Sequence, residues 1–167
     1  IKGVLPMSTE TRIQVKTEDG LEDLRGRFLT FLIDDTYYGI ELLYISEIIG
    51  VQPITRIPGL PGYFKGIINL RGKVAPIIDV RLKFGQEERA YDDKTCIIMV
   101  NISEMQVGLI VDMVADVVSM DDAIRNPPPE SSARTGDRYL SSIANVGGKV
   151  VLNIDCDKFF QSDLRPY

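Results

Sequence analysis

Histidine and tryptophan are both absent from this 167-residue chain, and cysteine occurs only twice. Without histidine there is no Ser-His-Asp or Cys-His nucleophile pair, no imidazole zinc ligand and no phosphorelay histidine. Cys96 and Cys156 lie far apart among apolar neighbours, which suits small buried hydrophobes, with a metal or redox role as the other reading. Long apolar runs are missing too. Nothing approaches the roughly 20 residues of a membrane-spanning helix, and Ile1-Lys2-Gly3-Val4-Leu5-Pro6 is too short for a signal-peptide core. A cytoplasmic protein is the expectation. No lysine or arginine run offsets the acidic pairs Asp34-Asp35, Glu87-Glu88, Asp92-Asp93 and Asp121-Asp122, and the formal net charge is −5, which argues against a phosphate-tracking surface. Dinucleotide fingerprints, phosphate-cradling loops and zinc-type cysteine spacings are also lacking, so no catalytic constellation, metal or cofactor is expected.

What is present is an ordinary globular composition, 44% hydrophobic and 26% charged, enough to bury a core. Residues 1–26 are polar and broken by Pro6 and Gly20, so a mobile tail is expected, with Met7 a candidate native start and residues 1–6 a remnant. This tail and the early Met7 point to a complete protein. Residues 27–162 should form the folded unit, and 163–167 a C-terminal tail. From Arg27 the text turns to hairpins: Phe28 to Ile33 and Tyr37 to Ile40 flank Asp34-Asp35-Thr36, and Gly66 to Leu70 and Lys73 to Ile78 flank Arg71-Gly72. Asp79 can cap a short segment, Val80 to Phe84, that Gly85 ends, and Pro76 suggests an edge or bulge.

After the charged stretch Gln86 to Lys94 the pattern starts again. Gly39, Ile40, Ile45, Glu47 and Ile48 match Gly108, Leu109, Val114, Asp116 and Val117 at an offset of 69. Ile67, Asn69, Gly72-Lys73-Val74, Ile78-Asp79 and Phe84 match Ile143, Asn145, Gly148-Lys149-Val150, Ile154-Asp155 and Phe160 at 76. The difference falls in the stretch holding Pro127-Pro128-Pro129 and Gly136. Two half-domains of short strands, each too small for a stable core alone, predict an all-β fold with short helices: two small barrels related by a pseudo-two-fold. The halves disagree at one informative place. Arg71 occupies a hairpin turn where the second half has Gly147, so the turn itself needs no arginine. A function outside the turn is the better explanation, and the guanidinium fork suits a carboxylate on a partner or across the junction between the halves; an arginine merely solvated on a hairpin tip is the other reading.

The run from Gly66 to Phe84, GIINLRGKVAPIIDVRLKF, resembles the signature of the CheW family of bacterial chemotaxis coupling proteins. The resemblance extends over Phe28 to Phe31, Tyr38 to Ile40, Ile45 to Ile48, Thr55 to Pro58 and Val107 to Asp112, nearly everything after the tail. It implies an adaptor of two five-stranded SH3-like barrels that links methyl-accepting receptors to the histidine kinase CheA without catalysis, recruited from the cytoplasm to receptor arrays. On the receptor side it implies Ile45, Glu47, Ile48, Gly66, Arg71, Val114 and Val117, where apolar side chains would meet a helical receptor tip and the charges would select it. The apolar members also suit a core, and Glu47 and Arg71 could pair with each other. The kinase-facing residues are not assigned. The same fold would serve a CheA regulatory domain or the adaptor half of CheV, and small barrels also host enzymes and nucleic-acid binders, which the missing histidine and acidic balance disfavour.

Overall fold

The computed structural model describes residues 12–14, 24–121, 124–128 and 138–161. Twelve strands run along them: β1 (Arg12–Gln14), β2 (Arg27–Ile33), β3 (Thr36–Glu41), β4 (Ile45–Gly50), β5 (Phe64–Leu70), β6 (Lys73–Asp79), β7 (Cys96–Ile102), β8 (Met105–Val111), β9 (Met113–Ser119), β10 (Arg125–Asn126), β11 (Leu140–Val146) and β12 (Lys149–Ile154). Two short helices follow the last hairpin of each half, α1 (Val80–Lys83) and α2 (Cys156–Phe160). Asp79 and Asp155 cap them, accepting from the amides of Leu82 (3.3 Å) and Lys158 (3.1 Å).

The strands form two sheets, β1-β4-β7-β8-β6-β5 and β10-β11-β12-β3-β2-β9. Once β1 and β10 are set aside, the orders superpose strand for strand at the two sequence offsets, giving a pair of five-stranded SH3-like barrels related by a pseudo-two-fold. The halves are nonetheless crossed. The opening hairpin of the first half, β2 and β3, lies in the sheet of β9, β11 and β12, while β7 and β8 of the second half lie between β4 and β6. Each crossing is closed by a parallel pairing, Ile77 opposite Gly108 and Asn153 opposite Gly39. Both glycines sit where a side chain would crowd its neighbours. A Cβ on Gly108 would lie 2.5 Å from Ile77 Cδ1, and one on Gly39 2.3 Å from Asn153 Oδ1, so an added methyl costs about 1–3 kcal/mol.

Each barrel fills its own small interior, one with Ile68, Ile77, Ile97 and Met99, the other with Phe28, Met120, Ala144 and Val151. The largest apolar cluster lies between them and takes Phe31, Ile40, Ile48, Phe84, Ile98 and Phe159 from both halves. Cys96 and Cys156 belong to this cluster, and burial pushes the Cys96 thiol up to about 12, as befits a small hydrophobe. Lys83, buried beside it, holds its ammonium 4.7 Å from the Tyr63 ring and 4.8 Å from that of Phe159.

Part of the expected N-terminal tail is structured. Residues Arg12–Gln14 pair antiparallel with β4, and Leu24 is buried in the central cluster. The remaining residues of the tail up to position 23, and the expected C-terminal tail 163–167, lie outside the described residues.

An ionic clamp joins the barrels at one crossing. Arg81 of α1 donates to Asp34 in the β2–β3 turn (2.7 and 3.0 Å) and to Asp112, where the chain passes from β8 to β9. Asp112 also accepts from the Asp34 amide (2.7 Å) and from Arg89 (3.1 Å). The hydrogen bond from Arg81 holds the Asp34 carboxyl below its ordinary value of 3.8. A depressed carboxylate contributes stability that is complete above its unfolded pKa and is lost as pH falls through the folded one. Urea midpoints of wild type and Arg81→Met should therefore differ at neutral pH and converge as the pH falls below 3.8 and through the folded value. Equal separation at both pH values would contradict the clamp's role.

Candidate functional site

The hairpin tips of β5–β6 and β11–β12 have the same backbone. Arg71 and Gly72 have φ of 52° and 82°, Gly147 and Gly148 57° and 84°, and the side chains of Asn69 and Asn145 accept from the amides of Gly72 (2.9 Å) and Gly148 (3.1 Å). A left-handed conformation suits glycine and disfavours arginine, so the arginine must be retained by its side chain. That side chain forks onto Glu47. Nη1 donates to Oε2 at 3.2 Å and Nη2 to Oε1, which raises the guanidinium's proton affinity.

Glu47 lies on β4 and is only 2% exposed, whereas the Arg71 side chain is 51% exposed. One end of the pair is thus buried and the other faces solvent. Around it lies an open groove of about 720 Å³, walled by the β5–β6 hairpin on one side and the β7–β8 tip on the other. Ser46 in its wall donates to the Met99 carbonyl (3.3 Å) and accepts from Gln106 (2.9 Å). Val74 and Met105 line it as well, 63% and 42% exposed. At matching positions the other barrel has Ala115, Gly147 and Tyr37 in place of Ser46, Arg71 and Gln106, whereas Lys73 and Glu104 of the groove have like residues in Lys149 and Asp35.

Of the seven residues expected on a partner-facing surface, Glu47 and Arg71 come together and the others do not join them. Ile45, Ile48 and Val114 are buried in the central cluster, and Val117 is half-buried against it. Ile45, Ile48 and Val114 therefore take the core reading rather than surface contact: the register shifts after Ile45 in β4 and after Val114 in β9 bring residues three apart onto the face that fills the space between barrels. Gly66 has a backbone role. Its φ is 137°, and a Cβ there would fall 2.1 Å from the Thr55 carbonyl oxygen. Val74, Met105, Ser46 and Gln106 were not singled out by sequence. The available signal was the pair of valines, Val74 and Val150, following lysine in both hairpins, where a strand exposed on one face places an apolar side chain in water.

The CheW-like domain family matches residues 27–164. The chain belongs to the CheW-like family. The chemotaxis protein CheW of Klebsiella aerogenes is 36% identical over 142 residues, covering 85% of this chain and 86% of that protein. That of Bacillus subtilis is 30% identical over 131 residues, 78% of this chain and 84% of its own length. Among solved structures, the scaffolding protein TtCheW from Thermoanaerobacter tengcongensis superposes with a TM-score of 0.78 at 30% identity, over 85% of this chain and 97% of that one. CheW-like proteins are chemotaxis scaffolds, and this chain is accordingly an adaptor of that kind. No described helix is long and apolar enough to cross a membrane.

The Glu47–Arg71 pair can be tested apart from any partner. Arg71→Gly gives the tip the residue of the second half but takes the guanidinium away from the buried Glu47 carboxylate, so it should lower the unfolding temperature. Adding Glu47→Gln should return most of the loss. A single variant as stable as wild type would show that the pair does not hold the fold.

Proposed function

We propose that this CheW-like chain couples methyl-accepting receptors to the histidine kinase CheA in the cytoplasm, by binding both and catalysing nothing. The observation that carries this reading is the groove beside the β5–β6 hairpin, with a half-exposed guanidinium anchored on a buried carboxylate beside exposed Val74 and Met105. Arg71 spends one edge of its fork on Glu47. Its remaining N–H donors face the groove, where they can read a carboxylate of a receptor tip while the apolar side chains cover its aliphatic surface. Ile45, Ile48 and Val114 serve the same site indirectly, as the core that sets the separation of the barrels. The rigid crossed sheets suit an adaptor, because a displacement at one docking surface is passed on without being absorbed.

Pull-down against a receptor cytoplasmic fragment and CheA, with kinase control measured in parallel, tests the reading. Met105→Glu and Arg71→Ala should each weaken receptor capture about tenfold or more, and Met105→Glu should leave the unfolding transition unchanged because its side chain is outside the core. Receptor capture at wild-type strength by both variants would remove the groove from the site.

A further inference from the structure

A tight hairpin tip with a left-handed backbone at both central residues favours glycine, asparagine and aspartate. Among the described residues four non-glycines have positive φ: Asp34 (53°), Arg71 (52°), Ser103 (47°) and Glu104 (68°). A side chain in that region costs stability and persists where something else retains it. For Asp34 the holder is the Arg81 clamp, and for Arg71 it is Glu47. Ser103 and Glu104 form the β7–β8 tip, where serine is an ordinary turn residue. Glutamate is not, and the second place of the β5–β6 and β11–β12 tips is held by Gly72 and Gly148.

Glu104 has no such holder within the fold. Its side chain is exposed and makes no hydrogen bond or ion pair among the described residues. It does line the groove that holds Arg71, from the other wall. The β5–β6 hairpin brings Arg71 and the exposed, unpaired Lys73, the β7–β8 tip brings Glu104, and Val74 and Met105 supply apolar surface. Cations on one wall and a carboxylate on the other thus share a groove without pairing with each other. Such a lining is complementary to an occupant that carries both signs of charge.

We propose that Glu104 is a specificity-determining residue of this groove, selecting a receptor segment that presents a lysine or arginine as well as the carboxylate taken by Arg71. The inference rests on the reading that the groove receives the receptor tip. A segment with acids alone would bring like charge against Glu104, and one with bases alone would bring it against Arg71 and Lys73. Like-charge contacts of this kind reject wrong partners even where the matching pair adds little affinity. The left-handed glutamate is then kept for its partner, as Arg71 is kept for Glu47.

Titration of the full protein with a receptor cytoplasmic fragment at low and high salt, beside thermal unfolding of the same variants, tests this. Glu104→Gly gives the tip the residue its backbone favours, so the unfolding temperature should stay level or rise while receptor affinity falls several-fold. Glu104→Lys should weaken binding about tenfold or more at low salt, and its difference from wild type should shrink as salt is raised. Wild-type affinity in both variants would overturn the proposal. So would a loss undiminished at high salt, or a Glu104→Gly protein that unfolds several degrees lower, which would make Glu104 a structural residue. Met105→Glu, measured alongside, separates this inference from the groove reading. Binding lost with Met105→Glu but kept by both Glu104 variants would leave the groove in place and remove Glu104 from it; binding kept by all three would remove both.

Discussion

Everything in this molecule depends on two parallel strand pairings, β6 with β8 and β12 with β3, across which each half of the chain closes the other's barrel. The pairings are close enough that a side chain at Gly108 or Gly39 would push against Ile77 or Asn153. They also force the chain to cross between sheets twice, and the side chains at the crossings form the central cluster that joins the barrels. A barrel of this size buries too little apolar surface to be independently secure. Exchange of hairpins turns two marginal cores into one continuous structure.

The symmetry thus produced is used unequally. Matching turns carry Arg71 in one barrel and Gly147 in the other, and matching acids are spent differently, Glu47 on an arginine and Asp116 on the Val117 amide. Lys83 and Phe159 stand at matching positions, as do Tyr63 and Tyr139, yet one helix brings a cation to the aromatic cluster and the other a ring. The Arg81 clamp likewise has no ionic counterpart: Leu43, Ser103 and Asp157 occupy the positions matching Asp112, Asp34 and Arg81. A duplicated frame with unlike surfaces is what an adaptor between unlike partners requires.

Much of this was legible in the sequence because hairpin signals are local. Asn69 and Asn145, the paired glycines and the capping aspartates all act within a few residues of themselves, and subtraction aligned the two halves. The crossing was not legible, since parallel pairing of β3 with β12 joins residues more than a hundred positions apart and leaves no local mark. For the same reason β1 was read as tail: three residues gain their strand character from β4. At the candidate site Arg71 stood out by comparison with Gly147, but its pairing with Glu47 could only be weighed against other readings. Ile45, Ile48 and Val114 stayed open between core and contact because an apolar strand face does not say whether another barrel already covers it.

Separating the halves tests the central claim most directly. Residues 27–90 and 91–161, produced as two chains, should each lack a cooperative unfolding transition and regain one, with native β-sheet circular dichroism, when mixed. A cooperative transition from either half alone would contradict the account, because it would mean that a barrel can close without strands from the other half.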